Sequence, residues 1–166
     1  MNRILALVAF AALMLPGGAM AQEVVTGAAK VVDADIIMVD KQRVILWAVD
    51  APERTQKCYV GELLWDCYAA SRQALTDIIA SGEASCTLRD GKPDQFNRRF
   101  GVCTSAGVDA GAELVRLGMA RAYVEQGDDY LAQEEEARAA QIGVFQPGAK
   151  IDDPWEWRKR DPRNYR

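Results

Sequence analysis

The chain has 166 residues, four cysteines and no histidine, and its 20 basic and 24 acidic side chains give a formal charge of −4. The lack of histidine excludes Ser-His-Asp and Cys-His catalysis, histidine-ligated zinc sites and histidine general bases. Any chemistry must therefore use carboxylates, arginines, backbone groups or a hard metal ion. The length suits one domain, and a hydrophobic content of 49% is enough for a core.

The first 21 residues have the pattern of a secretory signal peptide. Arg3 precedes an apolar run over residues 4–15, and Ala19-Met20-Ala21 match the small-x-small cleavage pattern. A membrane anchor is the alternative, but about a dozen apolar residues are too few to span a bilayer. We therefore predict cleavage near Ala21 and a periplasmic or secreted protein without a membrane span.

The rest of the chain divides into a domain at residues 22–146 and a C-terminal tail at residues 147–166. The tail is rich in proline, aromatic residues and charge. We expect it to pack on the domain or to extend from it. Its tryptophans either pack the tail onto the domain or stack on nucleic-acid bases.

The four cysteines, Cys58, Cys67, Cys86 and Cys103, suit disulfides because the predicted compartment is oxidising. They contain no C-x-x-C spacing, which argues against a zinc site made of cysteines alone. Three pairings are possible. Cys86 and Cys103 lie evenly about residues 94–95, as opposite positions of a hairpin would, and Cys58 and Cys67 bracket a short segment that leads into a helix. We favour the pairings 58–67 and 86–103.

In chain order, the first half reads as strands at residues 24–32, 35–40 and 43–49, with a turn at Lys41-Gln42. Residues 61–81 change to a helical period, with Gly82 as the stop. The apolar residues of one face of this helix are Leu64, Tyr68, Leu75, Ile78 and Ile79.

The second half begins with a predicted hairpin of residues 84–89 and 99–104. Asp109 is placed to cap a short helix that Gly118 ends. A strand at residues 121–124 follows, and then a helix from Asp128 or Asp129 to Gln141. The order lacks βαβ alternation, so we predict an α+β domain with a small curled sheet.

Three carboxylates stand out as candidates for chemistry. Asp35 opens a strand, and Asp50 and Glu53 lie at the two ends of an Asp-Ala-Pro-Glu segment that follows the next strand. Pro52 stiffens this turn, so it can aim two carboxylates at one point. That arrangement suits a hard cation and a base. The alternative is an ordinary turn with solvated acids.

A second candidate is the loop that contains Arg98 and Arg99. Adjacent arginines beside a hairpin suit phosphate, because each guanidinium presents a planar fork of donors. The alternative is a solvated loop whose charges serve solubility.

Together these segments resemble the staphylococcal nuclease (thermonuclease) family. The resemblance lies in the order Val-x-Asp-x-Asp, Asp-Ala-Pro-Glu and Asp-x-Phe-x-Arg, and continues through residues 114–123. It covers roughly residues 31–145, and the cysteines and the closing Pro-Trp-Glu-Trp-Arg look like exported bacterial members. The resemblance implies a five-stranded OB-type β-barrel with three helices.

The resemblance also implies a Ca²⁺-dependent nuclease that hydrolyses phosphodiester bonds in DNA and RNA. Asp35, Asp50 and the backbone carbonyl of Ala51 would bind the metal, and Glu53 would be the general base. Arg98 would bind the phosphate and stabilise the transition state. Tyr123 stands where a family tyrosine lies near the nucleotide base.

The sequence departs from the family around this site. Ala34 replaces a glycine, Ile36 a threonine, and Ile45 occupies the position of the family's first catalytic arginine. Losing such a donor typically costs about 10²–10³ in rate. Arg43, two residues earlier on the same strand face, is a compensating candidate, and Arg99 is another, with Arg54 beside them.

Two functions therefore remain open. The first is a weakened Ca²⁺-dependent nuclease, a monomer with DNA or RNA as substrate. The second is a catalytically inactive OB-fold binding module of the cell envelope, which the three departures and the acidic net charge favour.

Overall fold

The structure is a computed structural model that describes residues 22–80 and 83–161. The predicted signal peptide lies outside the described residues, as do Gly82, the predicted helix stop, and the last five residues of the tail. Within the described ranges, no helix is long and apolar enough to cross a membrane.

Twelve short strands in the described part of the chain form one large sheet and two small ones. The large sheet has the hydrogen-bonded order β1-β8-β9-β4-β3-β2, with β10 paired to β9 and with β4 and β9 parallel. The small sheets are β11-β5 and β12-β6-β7. In chain order the strands are β1 (Val24–Gly27), β2 (Ala29–Asp33), β3 (Ile36–Val39), β4 (Gln42–Leu46), β5 (Val49–Asp50), β6 (Cys58–Val60), β7 (Leu63–Trp65), β8 (Ala84–Leu88), β9 (Arg98–Ser105), β10 (Val108–Asp109), β11 (Arg121–Ala122) and β12 (Ala149–Lys150).

The described residues also contain four α-helices. They are α1 (Cys67–Ile79), α2 (Ala110–Arg116), α3 (Leu131–Ala140) and α4 (Pro154–Arg160), and Gly143–Phe145 forms a 3₁₀ turn. As predicted, Asp109 caps α2, because its carboxylate accepts the N–H groups of Gly111 and Ala112.

The α+β class is confirmed, but the hydrogen bonding does not close the sheet into the expected five-stranded barrel. β1 and β2 stand at opposite ends of the hydrogen-bonded order, although only Ala28 separates them along the chain. The sheet therefore curls, because one stretch of chain pairs with β8 at one end and with β3 at the other. The tail adds α4 to the three expected helices.

Both predicted disulfides are present, and each ties two neighbouring elements together. Cys86 and Cys103 are opposite each other in the β8–β9 hairpin, with Cα atoms 4.0 Å apart. Cys58 and Cys67 join the start of β6 to the start of α1, with Cα atoms 6.0 Å apart. In the chain-entropy view, each bond stabilises the fold by about 3 kcal/mol.

The predicted helix at residues 61–81 was wrong at its beginning. Its first residues form the β6–β7 hairpin, which Gly61 turns in a left-handed conformation, with φ of 62°. Leu64 is consequently an exposed strand residue and not part of the helix face. Asp66 then starts α1 by accepting the N–H of Ala69.

Other boundaries shift by one to three residues. The first strand breaks at Ala28, and the turn after β3 is Asp40-Lys41, both with positive φ. The strand predicted at residues 43–49 stops at Leu46, and α3 begins at Leu131 with Tyr130, not an aspartate, at its N-cap.

The core lies between the curled sheet and helices α1 and α2. Ile37, Leu46, Leu75 and Leu114 are fully buried there. Burying each such side chain stabilises the fold by about 1.5–3 kcal/mol. This core fixes the position of the short strand β5, whose last residue carries the first carboxylate of the Asp-Ala-Pro-Glu turn.

Candidate active site

A cavity of about 560 Å³ opens where the β2–β3 turn, the end of β5 and the start of β9 meet. Its charged lining residues include all the acids and the arginine to which the sequence assigned catalytic and metal-binding roles. These charged residues are Asp33, Asp35, Asp50, Glu53, Asp94, Arg98 and Arg158. Ala51 and Tyr123 also line it, so the segments that are distant in sequence share one cavity.

The Asp-Ala-Pro-Glu turn is held from both sides. β5 pairs with β11, with Asp50 opposite Arg121, and the side chain of Asp50 is almost completely buried. At the other end, the amide oxygen of Gln56 accepts the N–H of Glu53, and the N–H of Gln56 donates to the Glu53 carbonyl at 2.8 Å. The stiffness that Pro52 predicted is thus reinforced by hydrogen bonds.

Arg158 of α4 binds both carboxylates of this turn. Its Nη1 donates to Asp50 Oδ1 and to Glu53 Oε1, and its Nη2 donates to Asp50 Oδ2, each at 2.6 Å. Charge-assisted bonds in this two-pronged geometry are among the strongest in proteins. The sequence interpretation gave Arg158 no role.

Burial and Arg158 act in opposite directions on these acids. Burial raises the pKa of Asp50 and of Glu53, and the hydrogen bonds and charge of Arg158 oppose that rise. For Arg158, burial disfavours the charged form, but its bonds to Asp50 and then Glu53 outweigh this and raise its pKa. The guanidinium is therefore charged at neutral pH.

Asp35 faces the same acids from the β2–β3 turn. Burial, and next repulsion from Asp50 and Glu53, raise the pKa of Asp35 well above its ordinary value. Its neighbour Ala34, in the family's glycine position, is buried and is absent from the residues with positive φ in the described chain. Alanine at this position therefore carries no left-handed strain.

The oxygen atoms around Asp35 and Asp50 are of the type that binds a hard cation. They are carboxylate oxygens that repel one another, beside the backbone carbonyls of a fixed turn. In the described ranges, no group of three or more His, Cys, Asp or Glu side chains is placed to hold a metal ion. The ligand set implied by the resemblance has two carboxylates and one carbonyl, so it does not require such a group.

Arg98 begins β9 and is held by the loop before it. Its Nε donates to Asp94 Oδ2 at 2.7 Å, and its guanidinium lies 4.9 Å from the centre of the Phe96 ring. Asp94 Oδ1 also accepts the N–H groups of Phe96 and Arg98. Asn97 has φ of 56°, a conformation that asparagine tolerates better than most residues.

The three arginines considered as substitutes for the missing one do not line the cavity. Arg43 is exposed on β4, and Arg99 donates to the Glu23 carboxylate and to the Arg89 carbonyl. Arg54 lies 3.8 Å from the Asp33 carboxylate and over the Tyr68 ring. Ile45 does line the cavity, beside Arg98 and Arg158.

Tyr123 lies at the edge of the cavity, directly after β11. Its hydroxyl donates to Glu125 at 2.7 Å, and this bond, together with burial, raises the pKa of Tyr123 to about 12. Its ring packs against Trp155 of α4, with ring centres 5.3 Å apart. The tail is therefore part of the cavity wall.

One sequence signal for the role of the tail existed. Trp155 and Arg158 are three residues apart, so a helix starting at Pro154 places both on one face. That spacing predicts a helix face with an aromatic ring and a guanidinium. It does not say which part of the domain the face contacts.

Comparison with known proteins places the chain among relatives of staphylococcal nuclease. The family described as staphylococcal nuclease homologue matches residues 43–146. An uncharacterized endonuclease of Haemophilus influenzae is 30% identical over 124 residues, which make up 74% of this chain and 63% of that protein. The succinoglycan biosynthesis protein ExoI of Rhizobium meliloti is 31% identical over 142 residues, 81% of this chain and 72% of that protein. The chain therefore spans less than two thirds of the endonuclease's length.

Proposed function

The chain belongs to the staphylococcal nuclease homologue family, and we propose that it is an exported, Ca²⁺-dependent nuclease that hydrolyses phosphodiester bonds in DNA or RNA. One observation carries this proposal: Asp35, Asp50, Glu53 and Arg98, from three separate chain segments, line a single cavity. Acids that can hold a metal ion and act as a base, together with a guanidinium for the phosphate, can carry out phosphodiester hydrolysis without histidine.

Each of these groups has a chemical task. Asp35, Asp50 and the Ala51 carbonyl would hold the Ca²⁺, which when bound supplies positive charge against the phosphate. Glu53 accepts a proton from the attacking water. The water oxygen bonds to phosphorus while the bond from phosphorus to the leaving oxygen breaks, and the leaving oxygen takes a proton from solvent. Arg98 donates to the non-bridging oxygens, where negative charge grows.

Two further features belong to the proposal. Tyr123 borders the cavity, so its ring is available to a base next to the bound phosphate. Export is supported by the predicted signal peptide and by two disulfides, which persist in oxidising compartments. We propose that the protein acts there as a monomer.

We expect slower hydrolysis than in family members that have both arginines in their usual places. Ile45 lines the cavity where the first arginine would start, and an aliphatic side chain has no donor for the phosphate. The loss of one such donor corresponds to about 10²–10³ in rate.

The proposal is tested by digesting a labelled single-stranded DNA and RNA with Ca²⁺ and then with EGTA. Cleavage should require Ca²⁺ and should fall by about 10²-fold or more in Glu53→Gln, which removes the base but keeps the shape. Glu62→Gln, an exposed glutamate in the β6–β7 turn, is the matched control. Activity that survives the chelator, or that Glu53→Gln leaves intact, contradicts the mechanism. A wild type that binds but never cleaves would favour the inactive binding module.

A further inference from the structure

We propose that Arg158, a tail residue, is the second phosphate-binding guanidinium of the site and replaces the arginine missing at position 45. The inference rests on the proposed nuclease function and adds a catalytic residue to it. Arg158 and Ile45 line the same cavity, together with Arg98. Among the described residues, Arg98 and Arg158 are the arginines that line this cavity.

The hydrogen bonds of Arg158 leave donors for a ligand. A guanidinium has five N–H groups. Three are used by Asp50 and Glu53. The Nε–H and the second Nη2–H make no hydrogen bond to the described part of the chain. The side chain retains 26% of its exposure, and Arg158 is among the residues that line the cavity.

The charges of the cavity also support a phosphate-binding role for Arg158. Asp35, Asp50 and Glu53 would together repel a phosphodiester, which is itself an anion. Arg98 alone does not offset them, because it is already paired with Asp94. Arg158 offsets one of the two negative charges that it bridges and brings a second guanidinium to the cavity.

This contact does not exclude metal binding by Asp50. Each carboxylate oxygen has two lone pairs, and the two bonds from Arg158 use one on each oxygen. One lone pair on each oxygen remains. Arg158 is thus compatible with the ligand role proposed for Asp50.

The tail holds Arg158 in place before any substrate arrives. Arg121 bridges to Asp153 at the N-terminus of α4, with its Nη1 2.5 Å from Oδ1. The amide nitrogen of Gln56 donates to the Asp152 carbonyl at 2.7 Å, next to the catalytic turn. A donor positioned in advance needs little reorganisation during the reaction, which is the main source of electrostatic rate enhancement.

The test compares Arg158→Gln, Ile45→Arg and the double variant in cleavage of labelled single-stranded DNA with Ca²⁺. Arg158→Gln should lower kcat by about 10²–10³, and adding Ile45→Arg should recover at least about tenfold, since the second guanidinium returns from the usual position. Arg160→Gln is the control for a loosened tail, because Arg160 binds Asp152 and stacks on Trp157 outside the cavity. It should leave kcat unchanged.

The rates of these variants distinguish a catalytic role of Arg158 from a blocking role and from a purely structural one. An Arg158→Gln variant that is as fast as the wild type, or faster, overturns the inference, and a faster one marks Arg158 as a plug that blocks the site. A loss that Ile45→Arg does not recover also overturns it and assigns Arg158 a purely structural role. If Arg158→Gln does not fold, Arg158→Lys takes its place. Lysine keeps the charge but lacks the planar fork of donors, so the kcat of Arg158→Lys should lie between those of Arg158→Gln and the wild type.

A binding measurement distinguishes this failure from failure of the proposed function. Fluorescence anisotropy of a labelled single-stranded DNA with phosphorothioate linkages, which keep the negative charge but resist hydrolysis, reports Kd with Ca²⁺ present. If the wild type binds but does not cleave, the nuclease proposal fails alone, and a roughly tenfold weaker Kd for Arg158→Gln still supports the phosphate role. An unchanged Kd overturns that role. A wild type that neither binds nor cleaves overturns both proposals.

Discussion

Arg98 is held at the cavity by a loop whose hydrogen bonds converge on the carboxylate of Asp94. If its planar fork grips the phosphate, a lysine at this position keeps the charge but loses the second donor. We expect Arg98→Lys to lower kcat by about tenfold to a hundredfold. Steady-state cleavage of single-stranded DNA with Ca²⁺ measures this.

The control for this variant is Arg72→Lys, on the exposed face of α1 and outside the cavity lining. Equal rates for Arg98→Lys and the wild type would mean that charge alone suffices at this position. The geometric argument for Arg98 would then fail.

At the scale of single residues, the sequence predicted four residues of the cavity lining and missed Arg158. Asp35, Asp50, Glu53 and Arg98 could be found because each belongs to a short motif with fixed spacing. Arg158 could not, because its partners lie more than a hundred positions away and its own motif gives only a helix face. Long-range ion pairs leave no local pattern.

At the scale of elements, α3 is tied to the site through Glu134. Its Oε2 accepts the N–H of Ala122 at 2.7 Å, in β11, which pairs with β5, and its Oε1 accepts from Arg138 at 2.5 Å. Burial by itself would raise the pKa of Glu134, but these bonds and the charge of Arg121 outweigh it, so the pKa is lowered. Ionised Glu134 therefore stabilises the folded state.

We expect Glu134→Gln to lower the free energy of unfolding at pH 7 by about 1.5–3 kcal/mol, because a buried charge-assisted acceptor is lost. Since the pKa is lower in the folded state, the wild-type advantage is complete above the unfolded pKa and disappears as the pH falls through the folded pKa. Urea unfolding at neutral and acid pH measures this. Glu135→Gln, exposed on the same helix, should change stability by less than about 0.5 kcal/mol. A pH-independent difference would contradict the linkage.

Two elements show where sequence patterns are enough to predict secondary structure and where they are not. The β8–β9 hairpin was predictable because Cys86 and Cys103 lie evenly about the turn, and the two residues are indeed opposite each other. The start of α1 was not, because Leu63, Leu64 and Trp65 fit an apolar helix face equally well. Gly61 and the cap at Asp66 decided the outcome, and they act through backbone geometry rather than hydrophobic period.

At the scale of the whole molecule, family membership was predictable from the order of the motifs, whereas the open sheet and the place where α4 packs were not. The net charge of −4 affects how strongly the protein binds a polyanion and how that affinity depends on salt. A protein with a broad basic face releases many counterions on binding, and its affinity falls steeply with salt. Here the positive charge that faces the cavity comes from Arg98 and Arg158.

Two phosphate contacts predict a shallow salt dependence. For single strands the slope of log K against log salt is about −0.7 per neutralised phosphate, so two contacts give about −1.4. The measurement is anisotropy of the labelled phosphorothioate strand at fixed Ca²⁺ over a range of NaCl concentrations. Arg158→Gln should flatten the slope by about 0.7, because one contact is lost. A slope steeper than about −3 would mean that at least four phosphates are neutralised. The recognition surface would then extend well beyond this cavity, and the acids around it would not set the affinity.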